Sequence, residues 1–338
     1  MLLCFGFLLG GCSQKPKAEL NVYNWGDYID ESILKDFEQK YNIKVNYDTF
    51  STNEDMYIKI KSGSNNYDVA IPSDYMIEKM KKEDMLEKID LANIPNFKNV
   101  DERFKHLAYD PHNEYSIPYM WGTVGILYNK TMVKEPVDSW KILWDKKYSK
   151  QILMLDSQRD SIGITLKMLG YSLNTRNVAE LEKAKQALIE QKPLVLAYVG
   201  DDVKDKMISG EAALAVVWSG DAIYMNRENP DLHFVVPKEG SNLWFDGMVI
   251  PKGSKHKKEA ELFINYMCDS EVAFKNADYI GYSTPIPAAK AKLDPELQKN
   301  KIAYPDDKDL AKCEIFKDLG TFIKDYDRVW TEFKAEIE

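Results

Sequence analysis

Apolar and polar positions repeat along the chain from residue 19 in two alternating patterns. ELNVYNW is typical of a strand and IKVNYDTF alternates with a period of two, while ESILKDFEQKY between them has apolar residues at helical spacing. Asp30 is expected to cap that helix, and Ser73, which follows the short buried strand YDVAIP, is expected to cap the next one. This order predicts an α/β fold with right-handed crossovers and a mainly parallel sheet.

The strand and helix succession continues after the segment YSIPYMWGTVGILYNK, whose two adjacent apolar runs are expected to cross between lobes. Beyond it come the apolar stretch QILMLD, a helix near IGITLKML, and the strands AALAVVW, HFVVP and LWFDGMVIP. A chain of 338 residues exceeds the size at which one hydrophobic core stops growing, which predicts two lobes. Ligands of such sheets bind in the crevice beyond the carboxyl ends of the strands.

Aromatic and acidic residues collect where the predicted strands end. The combinations are Trp25 with Asp27 and Tyr28, the stretch Asp156 to Asp160, Trp218, and Trp244 with Asp246. A flexible cationic amine needs flat rings for its methylenes and its charge, and carboxylates for its ammonium groups. A single Trp in such a place is more often part of a core, and a single Asp is more often a helix cap. The repetition across strand ends favours the binding interpretation.

Composition and motifs exclude several other functions. The formal net charge of −9 argues against nucleic acid, which needs clustered Lys and Arg, and is compatible with a cationic ligand. H-E-x-x-H, G-x-S-x-G, G-x-G-x-x-G and Walker motifs are absent from the sequence, and its four histidines are isolated. We therefore expect no catalysis, no cofactor and no metal site, although a catalytic pair built from distant residues stays open.

The N-terminal segment MLLCFGFLLGGC closes on Leu9-Gly10-Gly11-Cys12, a lipobox pattern. It predicts a lipid-modified Cys12, with residues 1–18 forming a lipoprotein signal and tether, although the apolar part is short and a basic start is missing. A buried N-terminal strand is the alternative. Cys268 and Cys313 are too few and too far apart for a disulfide framework or a metal site, and are expected to be buried thiols.

The chain from about residue 19 onward resembles the polyamine-binding proteins of ABC importers, the spermidine/putrescine-binding type. The resemblance rests on YNWGDYI, YDVAIPSDYM, YSIPYMWGTVGILYN, VVWSGDA, PKEGSNLWFDGMVIPKGS and IGYSTPIPAA, in the order and spacing of that family. It implies a two-lobed, type II-like periplasmic-binding-protein fold that closes like a hinged clamp, each lobe a mainly parallel sheet flanked by helices. Lobe 1 is expected at residues 19–122 plus 246–292, and lobe 2 at 123–245 plus 293–338.

The resemblance also implies which residues form the ligand-binding cleft. These residues are Trp25, Asp27, Tyr28, Ser73, Tyr75, Ser157, Asp160, Trp218, Trp244, Asp246 and Tyr282. Trp218 and Trp244 are expected to sandwich the aliphatic chain around Asp246. Asp160 is expected to hold one end of the ligand, and Asp27 with Tyr28 and Tyr75 the other. Helix capping remains the alternative for Asp160 and for Asp27.

Two positions depart from the pattern of some spermidine-binding members. Ser157 stands where a second acid is found, and a hydroxyl does not neutralise an ammonium group. Phe316 aligns with a Gln that can reach the ligand in those members. Both changes leave the choice between spermidine and putrescine open.

The sequence thus predicts an extracytoplasmic, membrane-tethered receptor that passes spermidine or putrescine to an ABC permease and its ATPase. A binding protein for another small cationic solute is the first alternative. An enzyme that acts on a polyamine and a regulatory sensor that docks on a signalling partner are more distant ones.

Overall fold

The computed structural model describes residues 18–63 and 66–336, so Cys12 and the predicted leader lie outside the described residues. The strands are β1 Ala18–Trp25, β2 Ile43–Phe50, β3 Val69–Ala70, β4 Ser116–Asn129, β5 Ile152–Leu155, β6 Val195–Val199, β7 Leu214–Trp218, β8 Leu232–Val235 and β9 Leu243–Val249. The helices of the first part are α1 Glu31–Tyr41, α2 Asn53–Lys61 and α3 Asp74–Lys82. Those of the middle part are α4 Gln158–Met168, α5 Val178–Gln191, α6 Val203–Ile208 and α7 Ser219–Glu228.

The C-terminal helices are α8 Lys257–Met267, α9 Ser270–Ile280, α10 Pro287–Lys290, α11 Pro295–Gln298, α12 Asp307–Leu310 and α13 Ile323–Ala335. Short 3₁₀ helices occupy Leu91–Asn93, Pro95–Asn99, Glu102–Phe104, Trp140–Trp144, Lys146–Tyr148, Lys192–Leu194 and Gly320–Phe322. None of the helices in the described residues is both long enough and apolar enough to span a bilayer.

The strands form two sheets of the same design. The first has the order β2-β1-β3-β9-β4, and the second has the order β6-β5-β7-β4-β8. In each sheet the first three strands are parallel, and a fourth strand, β9 or β4, runs antiparallel to them. The predicted mainly parallel α/β sheets are therefore present, and the two sheets share β4.

Strand β4 joins the two adjacent apolar runs of the sequence into one element. Its residues up to Thr123 pair with β9 in the first sheet, and those from Val124 onward pair with β7 in the second. Every position except Tyr128 is buried, because both halves of the strand lie inside a sheet covered on both sides. The register shifts between Pro118 and Met120, where proline cannot donate a ladder hydrogen bond.

One of the two predicted helix caps is confirmed and the other is wrong. The Asp30 carboxylate accepts a hydrogen bond from the amide two residues later, at 2.9 Å, and so caps α1. Ser73 stands at the cap position of α3, but its hydroxyl makes no capping bond. Asp74 instead accepts from the amide of Tyr75 at 2.7 Å, while the Ser73 hydroxyl accepts from Asn53 at 3.1 Å. The Ser73 hydroxyl is thus left at the edge of the sheet.

Trp244 and Asp246 lie inside β9 and not at a strand end, so the expectation about their place in the strand is wrong. They nevertheless reach the predicted edge of the sheet. Because β9 runs antiparallel to β3, its early residues lie level with the carboxyl end of β3, where Asp246 forms a bridge with Ser73.

The two cysteines of the described residues differ in environment. Cys268 is buried as expected, and burial raises the pKa of its thiol to about 12. Cys313 is only half-buried, so the expectation of a second fully buried thiol is wrong. It lies in the irregular segment after α12, which runs along the surface before α13 begins.

Candidate ligand-binding cleft

A cleft of about 690 Å³ opens between the two sheets at the carboxyl ends of their parallel strands. The structure brings all the residues predicted for the site to its lining: Trp25, Asp27, Tyr28, Ser73, Tyr75, Ser157, Asp160, Trp218, Trp244, Asp246 and Tyr282. They come from the ends of β1, β5 and β7, from the start of α3, from β9 and from the segment after α9. The predicted strand-end edge therefore forms the floor and the walls of one concave site.

The aromatic walls are held in place by protein contacts. The Trp25 indole donates to the carbonyl of Ile71 at 2.9 Å and packs against the Phe50 ring with centroids 4.6 Å apart. Tyr282 links two further walls, with ring centroids 5.0 Å from Tyr28 and 5.6 Å from Trp244. Rings fixed in this way lose little further freedom when a ligand binds.

Asp246 is the carboxylate at the centre of this aromatic group. The Tyr28 hydroxyl donates to its Oδ2 at 2.7 Å, whereas its Oδ1 has no hydrogen-bond partner among the described residues. Burial raises the pKa of Asp246 to about 7, against the opposing effect of the Ser73 and Tyr28 hydroxyls. Near neutral pH this group therefore exchanges readily between its acid form and its anion.

Asp160 is another buried carboxylate of the cleft that forms no ion pair within the described residues. Ser157 is the N-cap of α4, and its hydroxyl also donates to Oδ2 of Asp160 at 2.7 Å, so the helix-cap alternative for Asp160 is wrong. Oδ1 of Asp160 has no hydrogen-bond partner among residues 18–63 and 66–336. Burial raises the pKa of Asp160 to about 6, with Ser157 and Asn242 acting in the opposite direction.

A guanidinium group packed against aromatic rings lies beside Asp160. The guanidinium carbon of Arg159 lies 4.4 Å from the centre of the Phe316 ring and 5.0 Å from that of Tyr75. The Tyr75 hydroxyl donates to Glu54 at 2.9 Å. The structure thus groups Tyr75 with Phe316 and Arg159, next to Asp160, and not with Asp27 as expected.

Asp27 lies at the mouth of the cleft. Its side chain is 70% exposed, and its Oδ2 is 3.1 Å from Nζ of Lys204 on α6. The backbone of Asp27 has a φ of 45°, the left-handed conformation that Asp tolerates better than most residues. Asp30, not Asp27, caps α1, so the helix-cap alternative for Asp27 is wrong as well.

Sequence reasoning missed several residues that line the cleft. These residues include Glu54, Arg159, Asp201, Lys204 and Asp221. A signal for three of them is present in the sequence, because GDDVKDK directly follows β6 and WSGDA directly follows β7, both at the edge where ligands bind.

The donor set of the cleft suits an organic cation better than a metal ion. No group of three or more His, Cys, Asp and Glu in the described parts of the chain is arranged to hold a metal. Two buried carboxylates, each with one oxygen that has no hydrogen-bond partner in the described residues, instead line a cleft together with aromatic side chains. Two sheets of one design around such a cleft define the two-lobed class of periplasmic binding proteins.

Comparisons with known proteins agree with this class. The model of the family described as bacterial extracellular solute-binding protein matches residues 32–305, and the chain belongs to this family. The spermidine/putrescine-binding periplasmic protein of Salmonella typhimurium is 36% identical, over 99% of this chain and 97% of that protein. The family and this relative are substrate-binding transport proteins, not enzymes.

Two solved structures have the same fold. A candidate spermidine/putrescine ABC transporter protein from Listeria monocytogenes is 45% identical, with a TM-score of 0.92 over 94% of this chain and 99% of that one. The spermidine/putrescine ABC transporter substrate-binding protein of Streptococcus pneumoniae is 43% identical, with a TM-score of 0.81 over 94% and 98% of the two chains. The predicted two-lobed periplasmic-binding-protein fold is confirmed.

The raised pKa of Asp246 predicts a pH-dependent effect of Asp246→Asn on the free protein. A carboxyl whose pKa is about 7 when folded and about 4 when unfolded costs stability as pH rises through that interval. Asn does not ionise, so the free energy of unfolding of Asp246→Asn, relative to that of wild type, should increase by roughly 2 kcal/mol between pH 5 and pH 8. Urea unfolding at both pH values measures this difference. A constant difference would show that Asp246 is already ionised at pH 5.

Proposed function

We propose that this protein captures a polyamine, spermidine or putrescine, outside the cytoplasm and delivers it to an ABC permease. The observation that carries the proposal is the pair of buried carboxylates, Asp246 and Asp160, each with an unpartnered oxygen in an aromatic cleft. An ammonium group satisfies such an oxygen with a charge-assisted hydrogen bond. The names of the relatives support the same ligand class and the same transport role.

The free energies of the expected contacts are sufficient for binding. A charge-assisted hydrogen bond contributes roughly 1.5 to 3 kcal/mol, a cation–π contact ~0.5 to 2 kcal/mol, and each buried methylene about 0.8 kcal/mol. Two ammonium groups and a chain of four methylenes therefore reach on the order of micromolar affinity after the costs of association and ordering are subtracted. Ordering costs are reduced because Trp25 and Tyr28 are already held by hydrogen bonds.

The cleft lies between two lobes, and closure of the lobes on the ligand is part of the proposal. The boundaries expected from the sequence place a crossing at residues 122 and 123. The change of partner in β4 between Thr123 and Val124 supports a hinge there. Asp246 is contributed by the first sheet and Asp160 by the helix after β5 of the second, so one ligand bridges both lobes and favours the closed state.

Isothermal titration calorimetry with spermidine, putrescine and other small cations tests this function. Wild type should bind a polyamine with 1:1 stoichiometry, and Asp246→Ala or Trp244→Ala should weaken binding at least tenfold because each removes a main contact. Asp156→Asn is the matched control, since Asp156 also lines the cleft but is neutralised by Lys334 at 2.8 Å. It should change affinity by less than about twofold.

The ligand panel distinguishes the proposal from its nearest alternative. Binding of another small cationic solute, with no response to any polyamine from folded protein, rejects polyamine capture but not the fold. Equal losses in Asp246→Ala and Asp156→Asn would reject the role given to Asp246.

A lipid anchor at Cys12 is the remaining part of the proposal, and it rests on the lipobox pattern in the sequence. Cys12→Ala, expressed in a bacterium that processes lipoproteins, should move from the membrane fraction to the soluble extracytoplasmic fraction, because it removes the acylated thiol. Immunoblots of the two fractions measure the shift, with Cys268→Ala as the cysteine control. Retention of Cys12→Ala in the membrane fraction would contradict anchoring through this residue.

A further inference from the structure

The mouth of the cleft carries a group of three carboxylates around a lysine of the protein itself. Nζ of Lys204 is 3.1 Å from Asp27, 3.5 Å from Asp221 and 3.9 Å from Asp201. We call these four residues the mouth cluster. All four line the same cleft as Asp246 and Asp160.

Lys204 is held in this place and stays charged. Its side chain is only 14% exposed. Burial acts to lower the pKa of Lys204, but the carboxylates of Asp221, Asp201 and Asp27 outweigh it, and the net pKa is raised. Burial raises the pKa of Asp221, and the Lys204 ammonium opposes that shift.

The mouth cluster also lies next to the residues that surround Asp246. Asp27 directly precedes Tyr28, whose hydroxyl donates to Asp246 at 2.7 Å. A Cβ added at Gly26 would lie 2.9 Å from the carboxylate of Asp201, so the loop after β1 closely approaches the loop after β6. Lys204, on α6 after β6 of the second sheet, therefore links that sheet to the loop after β1 of the first sheet.

Five of the carboxylates that line the cleft thus fall into two kinds. Asp246 and Asp160 each have an unpartnered oxygen and no ion pair among the described residues. Asp27 already accepts a hydrogen bond from the Lys204 ammonium group at 3.1 Å, and Asp221 and Asp201 lie 3.5 Å and 3.9 Å from the same nitrogen. A third ammonium of a ligand that reached the mouth would meet the like charge of Lys204, which is unfavourable.

We propose that Lys204 is a specificity-determining residue whose ammonium occupies the third cation position of the cleft, so that the protein selects a compact diamine over a triamine. This inference rests on the proposed polyamine-binding function and adds the ligand class to it. Asp246 and Asp160 take the two ammonium groups of the diamine. The third ammonium of a triamine must displace Lys204 or share the three carboxylates of the mouth cluster with it.

Calorimetry with putrescine and spermidine on wild type, Lys204→Met and Lys206→Met tests the inference. Met keeps the length of the side chain and removes its charge. Wild type should bind putrescine more tightly than spermidine. In Lys204→Met the ratio of the spermidine Kd to the putrescine Kd should fall about tenfold or more, because the third ammonium of spermidine gains the freed carboxylates.

Lys206→Met is the matched control, since Lys206 lies on the same helix but pairs with Glu211 at 3.4 Å, away from the cleft lining. It should leave the ratio unchanged. A Kd ratio within twofold of wild type in folded Lys204→Met overturns the inference while the proposed function stands. Loss of both ligands from folded Lys204→Met also overturns it. Wild type that binds neither polyamine overturns the inference together with the proposed function.

The wild-type measurement keeps the inference testable if Lys204→Met does not fold. Spermidine bound tenfold more tightly than putrescine by wild type would by itself contradict a cleft with its third cation position filled. Lys204→Gln, which keeps a hydrogen-bond donor for Asp27 without the charge, is the second variant and should shift the ratio in the same direction.

Discussion

The binding site depends on the free-energy cost of burying carboxylates that have no cation beside them. Asp246 and Asp160 are 5% and 7% exposed, and each has an oxygen that meets no donor in the described residues. A group in that condition keeps a proton near neutral pH or finds a positive partner. In the free protein, burial shifts both groups toward the protonated form, with the pKa of Asp246 raised to about 7 and that of Asp160 to about 6. A cationic ligand supplies the positive partner. The resulting difference in free energy between the free and the ligand-bound protein is the source of the ligand's affinity.

The fold maintains this costly arrangement through β9 and the helix beside it. Asp74, fully buried at the start of α3, accepts hydrogen bonds from the amides of Phe245 at 3.0 Å and Tyr75 at 2.7 Å. It thereby fixes the strand residue next to Asp246 against α3. Tyr28 fixes the carboxylate itself. The acid cannot turn toward solvent, so its charge is available only to a group that enters the cleft.

Much of this could be predicted from the sequence, because strand period, helix spacing and strand-end chemistry are local signals. They gave the strand and helix order, and the resemblance to a family gave the lining residues. The remaining features depend on contacts between residues that are far apart in the sequence. Ser157 took the capping position that was considered for Asp160, and the Ser73 hydroxyl accepts from Asn53 and makes no capping bond. Lys204 on α6 contacts Asp27, which lies 177 residues earlier in the chain, and no local pattern encodes this contact.

Proton release on binding tests the central claim most directly. With pKa values of about 7 and about 6 in the free protein, Asp246 and Asp160 together hold on the order of one proton at pH 6.5, which a bound diamine should expel. Titration of the protein with putrescine at pH 6.5, in two buffers of different ionisation enthalpy, measures the number of protons released. Release of about one proton per ligand, falling toward zero at pH 8.5, is the expected result. The same heat in both buffers at pH 6.5 would show that the carboxylates are ionised before the ligand arrives.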